Sequence, residues 1–67
     1  MIEQKQLSKQ IVSLLNMLLI AKRIKPIEHS KLFLLANRDL ASMKDVCTKI
    51  IVLTNDNRAK SILGKLG

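Results

Sequence analysis

Apolar residues recur at helical intervals along the first third of the chain. One stripe, with spacings of 4, 3, 4 and 3 residues, consists of Leu7, Ile11, Leu14, Leu18 and Ala21. A second stripe beside it consists of Val12, Leu15 and Leu19, and Ile20 lies apart, nearer the polar face. This pattern predicts a helix over residues 3–24. Its apolar arc covers about half of the cylinder, which is wider than the ~100° stripe of an ordinary surface helix.

The sequence KPI at residues 25–27 separates this helix from the next one. Pro26 disfavours the α conformation at Lys25 and suits the first turn of a new helix. Glu28 in that turn agrees with the direction of the helix dipole. Because a connection this short usually places two helices antiparallel, the pattern predicts a helical hairpin.

A second apolar phase runs from the proline to residue 54. Its spacings of 4, 4, 3, 4, 3 and 4 residues join Leu32, Ala36, Leu40, Met43, Cys47, Ile50 and Thr54. Because a loop normally resets such a phase, we predict one continuous helix over residues 26–54, with a weak point at residues 37–42. Asn37 and Asp39 suit a helix end and a helix cap, so a break there stays open as the alternative.

The sequence NDN at residues 55–57 ends the second helix. Asp56 can cap a short last helical turn, and Gly64 and Gly67 favour fraying of the tail. The predicted fold class is all-α, a hairpin of two long antiparallel helices with a short C-terminal helical tail. The alternative breaks this hairpin into a three-helix arrangement. Residues 1–67 form a single small domain in both cases.

The size and composition of the chain limit how it can be stabilised. A domain of 67 residues buries only about 60% of its unfolded surface, so its core is thin. Cys47 is the only cysteine, which excludes an internal disulfide. His29 is the only histidine, which excludes a Cys/His zinc site. The fold must therefore be stabilised by good helix packing, by a partner subunit, or by both.

The most apolar stretch of the chain, residues 11–21, is too short to cross a membrane. Its eleven residues span roughly 16 Å as a helix, about half of a ~30 Å hydrocarbon core. Lys22 and Arg23 follow it directly, without the small-residue cleavage site of a signal peptide. We therefore expect no integral membrane segment, and a cytoplasmic protein or one passed to another machine without such a signal.

No residue pattern in the sequence indicates catalysis. Cys47 lies on the apolar stripe, which favours a small buried side chain over a reactive thiol. No two carboxylates lie three or four residues apart, and both of the Gly-rich phosphate-binding motifs are missing from the sequence. We predict a protein without enzymatic activity, without a bound metal and without a cofactor.

Positive charge dominates the sequence. Twelve Lys and Arg against five Asp and Glu give a formal net charge of +7, which favours acidic partners. The candidate contacts for an anion or a nucleic acid surround the predicted hairpin turn and are Lys22, Arg23, Lys25 and Lys31. Phe33 is the only aromatic residue that could stack on a base. A basic, dimeric nucleic-acid-binding regulator of phage or plasmid type is therefore the alternative function.

The wide apolar face of the first helix favours a different role. Two helices in a hairpin cover only one stripe of each other, and SILGKL at residues 61–66 is the only further cover in the chain. Exposed apolar patches on small proteins usually mark interaction sites. We expect a small non-enzymatic adaptor, chaperone or regulator that buries this face against a protein partner or a second copy of itself. The expected anchors are Val12, Leu15, Leu19 and Ile20.

The late helical segment is rich in Ile and Val, as in KIIVLT at residues 49–54, and the turn before the second helix is short. In these features and in length, the chain resembles the small helical-hairpin co-chaperones of type III secretion needle subunits. It also looks like the plasmid-encoded hairpins that dimerise into RNA-binding four-helix bundles. The first resemblance implies a protein partner and the second a nucleic acid, and no functional residue is carried over from either.

Overall fold

Four α-helices make up the computed structural model, which describes residues 4–67. They are α1 (Gln4–Ile20), α2 (Pro26–Ala36), α3 (Leu40–Thr54) and α4 (Asn57–Leu66). Helix accounts for 83% of the described residues, and none of these residues forms a strand, which confirms the predicted all-α class. Glu3, which was predicted to begin the first helix, lies outside the described residues.

α1 ends at Ile20, four residues earlier than the sequence pattern predicts. The Arg23 N–H donates to the Leu18 carbonyl at 2.9 Å. The Lys22 N–H donates to the Leu19 carbonyl at 3.0 Å. These two bonds form a Schellman motif, which needs a left-handed residue just past the helix, and Lys22 holds that position with φ 61°. Lys22 and Arg23, which the predicted helix over residues 3–24 includes, therefore lie in the connection to α2.

The left-handed backbone at Lys22 leads to a stability prediction. Replacing Lys22 with glycine removes the steric cost of a side chain at positive φ, so we expect Lys22→Gly to stabilise the fold by about 0.5–1 kcal/mol. The matched control is Lys25→Gly, because Lys25 is extended at φ −82° and gains nothing from glycine. Urea unfolding of both variants checks this, and a Lys22→Gly protein no more stable than the parent would contradict it.

α2 begins at Pro26, as the sequence pattern predicts. Lys25 adopts an extended conformation with ψ 154°, which is the restriction that a following proline imposes. The Lys25 backbone N–H donates to Oε1 of Glu28 at 2.9 Å, so one carboxylate satisfies a backbone donor at the start of the helix. The short connection and the helix start therefore follow from local sequence alone.

The prediction of one continuous helix over residues 26–54 is wrong, because α2 ends at Ala36 and α3 begins at Leu40. The Ala36 carbonyl accepts a hydrogen bond from the buried Ser8 hydroxyl of α1 at 2.8 Å, and the Asn37 side chain contacts the same hydroxyl. A contact from a distant helix thus satisfies a carbonyl that a continuing helix would have used. The weak point at residues 37–42 and the three-helix alternative describe this break correctly.

The start of α3 is fixed by a local cap. Asp39 is extended, with φ −146° and ψ 176°, and its carboxylate accepts the Ser42 N–H at 2.8 Å. This is the N-cap geometry that aspartate favours. The hydrogen bonds from Ser42, and then the nearby Arg38 charge, lower the pKa of Asp39. Leu40 falls in phase with the apolar stripe but is exposed, which shows that the phase does not pass through the turn intact.

α4 is a ten-residue helix rather than the short last turn that the sequence pattern predicts. It packs against α1 and α3, while α1 also contacts α2 and α3. The buried apolar residues come from every helix and from the first connection, and they are Leu7, Ile11, Leu14, Leu15, Leu18, Ile24, Leu32, Ala36, Met43, Val46, Cys47, Ile50, Ala59, Ile62 and Leu66. The core is therefore closed by the tail as well as by the longer helices.

Candidate protein-binding face

The structure places the four predicted anchors of α1 in different environments. Leu15 is fully buried, Val12 and Leu19 are partly buried against the core, and Ile20 is 81% exposed. The expectation that this face stays open is wrong for Leu15, because α2, α3 and α4 all pack on α1. Of the four residues, Ile20 alone projects fully into solvent, and the main exposed apolar surface has to be sought elsewhere.

That surface lies on α2, whose apolar residues point in opposite directions. Leu32 and Ala36 are buried, whereas Ile27 is 60%, Phe33 is 40% and Leu34 is 76% exposed. We call the exposed set of Ile27, Phe33 and Leu34 the α2 outer face. Large apolar side chains that face away from the core are normally covered, so the α2 outer face lacks a cover within the described chain.

A polar contact to α1 holds the α2 outer face in place. His29 Nε2 lies 2.8 Å from Oδ1 of Asn16, and the His29 ring lies 5.8 Å from the Phe33 ring, tilted by 30°. Asn16 and Ile20 are four residues apart on α1, so they project from the same side of that helix. Ile20 therefore lies on the side of α1 that contacts α2 through His29.

The charge around the α2 outer face is positive. Lys31 is exposed and is spaced four residues after Ile27 and three before Leu34, so it lies beside both of them, on the side of the helix away from Phe33. Glu28 is the only acid in α2, and it is half-buried and bound to the backbone of the preceding connection. An apolar surface with a cationic side chain at its edge suits a partner that carries acidic residues.

A cleft between α2 and α3 borders this face. It has a volume of about 410 Å³, and its lining comprises Glu28, Lys31, Leu32, Leu35, Asp45, Lys49 and Leu53. Leucines provide the apolar part, and two acids balance two lysines at the polar part. The cleft thus extends the apolar surface of α2 but has no net charge of its own.

The cations predicted to contact an anion do not form one free cluster. Arg23 Nη1 donates to Oδ2 of Asp56 at 3.1 Å, and Arg23 Nη2 donates to the Thr54 carbonyl at 2.9 Å. Arg23 therefore links the segment between α1 and α2 to the end of α3. Lys22 and Lys25 are exposed in that connection, and the fourth predicted cation, Lys31, is exposed on α2.

Asp56 is the centre of a polar cluster that the sequence pattern did not reveal. Its Oδ1 accepts from the Arg58 N–H at 2.8 Å and from Arg58 Nε at 3.0 Å. Its Oδ2 accepts from Arg58 Nη2 at 2.7 Å, in addition to the bond from Arg23. The Arg58 side-chain hydrogen bonds are the largest cause that lowers the pKa of Asp56 to about 2, and burial opposes this effect. The predicted helix cap is confirmed, and the same buried carboxylate forms ion pairs with two half-exposed arginines.

Two further features bear on the chemistry of the described residues, the Cys47 thiol and the arrangement of potential metal ligands. Cys47 is fully buried, and burial raises the pKa of its thiol to about 11, so the nucleophilic thiolate is scarce near neutral pH. Within residues 4–67, no three or more His, Cys, Asp or Glu side chains come together as metal ligands.

Comparison with known proteins finds no matching family, no matching curated protein and no matching solved structure. Each helix in the described range falls short of the length and apolar character needed to cross a bilayer.

Proposed function

We propose that the chain is a non-enzymatic protein-binding module, an adaptor, chaperone or regulator, that docks a partner on the α2 outer face. The observation that carries the proposal is the exposure of Ile27, Phe33 and Leu34 on a helix whose opposite side is already buried. Burial of large apolar side chains contributes about 1.5–3 kcal/mol each, so such a surface supplies binding energy once it is covered. Ile20, from the set of anchors that the sequence predicts, adds to this surface from α1.

We propose that the occupant is an acidic, amphipathic helix of another protein. The net charge of +7 and the exposed Lys31 beside the face attract acidic residues on a partner's rim. A second copy would bring an equal positive charge against the same surface, and this repulsion opposes self-association. A groove-and-helix mode also matches the length of α2, whose two exposed aliphatic residues, Ile27 and Leu34, are seven apart.

We also propose that α1 and α2 form the antiparallel hairpin that the sequence predicts. Asn16 contacts His29, whereas Ser8 contacts Ala36. As the residue number falls along α1, its partner's number rises along α2, which is the order of an antiparallel pair. The cytoplasmic location stays a prediction of the sequence.

Fewer observations support the alternative of a nucleic-acid-binding regulator. Arg23 is held by Asp56 and the Thr54 carbonyl, which removes it from a free cationic surface. The helix that would enter a groove is α3, and its exposed side carries Asp45 with Lys49. The other cations are spread over separate helices, as in an ordinary solvated basic protein.

Leu34→Asp tests the proposed docking face. We expect the variant to stay folded, because Leu34 is exposed, and to lose about tenfold or more in affinity for a partner helix. The matched control is Val52→Asp, which changes the charge equally at a residue of α3 that is 74% exposed. The measurement is a selection of helical peptides from a phage-displayed library against the parent protein, followed by affinities for both variants.

The expected result is a set of acidic, amphipathic peptides that bind the parent and Val52→Asp alike and lose affinity for Leu34→Asp. Selected peptides without acidic residues would contradict the proposed partner chemistry. Peptides whose binding is unaffected by Leu34→Asp, or is lost equally in Val52→Asp, would contradict the α2 outer face.

A further inference from the structure

A second cleft, between α1 and α4, has a different chemical character. It has a volume of about 340 Å³ and is lined by Gln10, Ser13, Leu14, Met17, Arg58, Ser61, Ile62 and Lys65. The hydroxyls of Ser13 and Ser61 and the amide of Gln10 can donate hydrogen bonds. Arg58 and Lys65 are cationic, and the lining contains no carboxylate. Leu14 and Ile62 form its buried floor.

Arg58 is held in a fixed orientation at this cleft. Its Nε and Nη2 are bound to the two carboxylate oxygens of Asp56, which hold the plane of the guanidinium. The remaining nitrogen, Nη1, lies 3.8 Å from the Sδ of Met17, a weak acceptor on the cleft wall. A strong charged donor is therefore directed at the cleft and lacks an acceptor of matching strength there.

The spacing of α4 places a second cation on the same side of the helix. Arg58, Ser61 and Lys65 follow one another at three and four residues, which is one face of a helix. Lys60 of the same helix is exposed and does not line the cleft. α4 thus presents two cations and a hydroxyl toward Ser13 and Gln10 of α1.

We propose that the α1–α4 cleft binds a phosphate group, either of a small phosphorylated molecule or of a lipid headgroup. Phosphate oxygens accept hydrogen bonds from guanidinium, ammonium, hydroxyl and amide donors, and this cleft presents all four kinds. The α2–α3 cleft contrasts with it, because Glu28 and Asp45 there would repel an anion. This site is independent of the proposed docking face, so either can fail without the other.

The probe is sodium pyrophosphate, titrated into the full chain at constant ionic strength and followed by amide NMR shifts. We expect saturable shifts at Ser13, Ser61 and Lys65, and a loss of about tenfold in affinity for Lys65→Gln. Lys60→Gln removes the same charge from the same helix outside the cleft, and we expect it to bind as the parent does. Arg58 is left intact because its side chain also stabilises Asp56.

Vesicles containing phosphatidic acid separate the two sources of the phosphate. Binding of pyrophosphate alone assigns the site to a soluble phosphorylated molecule, and Lys65-dependent binding of the vesicles assigns it to a headgroup. Equal losses for Lys65→Gln and Lys60→Gln would overturn the proposal, because they would reflect only the general positive charge. Shifts that do not saturate with pyrophosphate, together with no Lys65-dependent vesicle binding, would also overturn it.

Discussion

Leu15→Glu is expected to unfold the chain. Leu15 is fully buried where α1 packs against the other helices, and a glutamate there would place an uncompensated charge in the core. Burying an unpaired charge costs well above the roughly 3–5 kcal/mol that a core of this size supplies. We therefore expect the far-ultraviolet circular dichroism of the variant to lose its helical signal at neutral pH.

Ile20→Glu is the matched control, since it introduces the same charge into the same helix at a residue that is 81% exposed. We expect Ile20→Glu to keep the parent's helicity and cooperative unfolding. A helical, cooperatively folded Leu15→Glu protein would contradict the burial of Leu15 and mean that this face of α1 is open, as the sequence alone suggested.

Asp56→Ala is expected to destabilise the fold by about 2–3 kcal/mol. The substitution removes the N-cap of α4 and leaves Arg58 and Arg23 without their shared carboxylate. Asp56→Asn keeps an oxygen for the cap but not the charge, so we expect a smaller loss. Urea unfolding at neutral pH checks this order, and an Asp56→Ala protein as stable as the parent would contradict the role of the cluster.

The same carboxylate sets part of the dependence of stability on pH. The pKa of Asp56 falls from 3.8 to about 2 on folding, so its ionised form favours the folded state. Because the folded pKa is the lower one, this contribution is complete above about pH 4 and is lost as the pH falls toward about 2. We expect Asp56→Asn to lose less stability than the parent across that range, and Asp45→Asn, at an exposed acid, to follow the parent.

Local sequence signals were enough to predict the starts of α2 and α4 and the end of α3, but neither the end of α1 nor the break between α2 and α3. The α1 stripe follows the 3.6-residue period, the start of α2 follows from Pro26, and the start of α4 follows from the Asp56 cap. The end of α2 could not be predicted in this way, because Ser8 and Ala36 are 28 residues apart in sequence. Only the folded chain brings that hydroxyl to the carbonyl.

The exposed face could be predicted only in part. Ile20 was identified from its position away from the α1 stripes, whereas Leu15 was wrongly expected to be exposed because a single packing helix was foreseen, and three separate helices pack on α1. The signal for α4 was present, since Ala59, Ile62 and Leu66 are spaced by three and four residues. The sequence signal for the α2 outer face was the presence of apolar side chains on both sides of one short helix.

The central claim is that α4 closes the core within one chain and leaves the α2 outer face open for a different protein. Light scattering of the purified chain at low and high salt tests it most directly. We expect a monomer of 7.6 kDa under both conditions. A dimer that persists at high salt and becomes monomeric on Leu34→Asp would contradict the claim, because the face would then be occupied by a second copy.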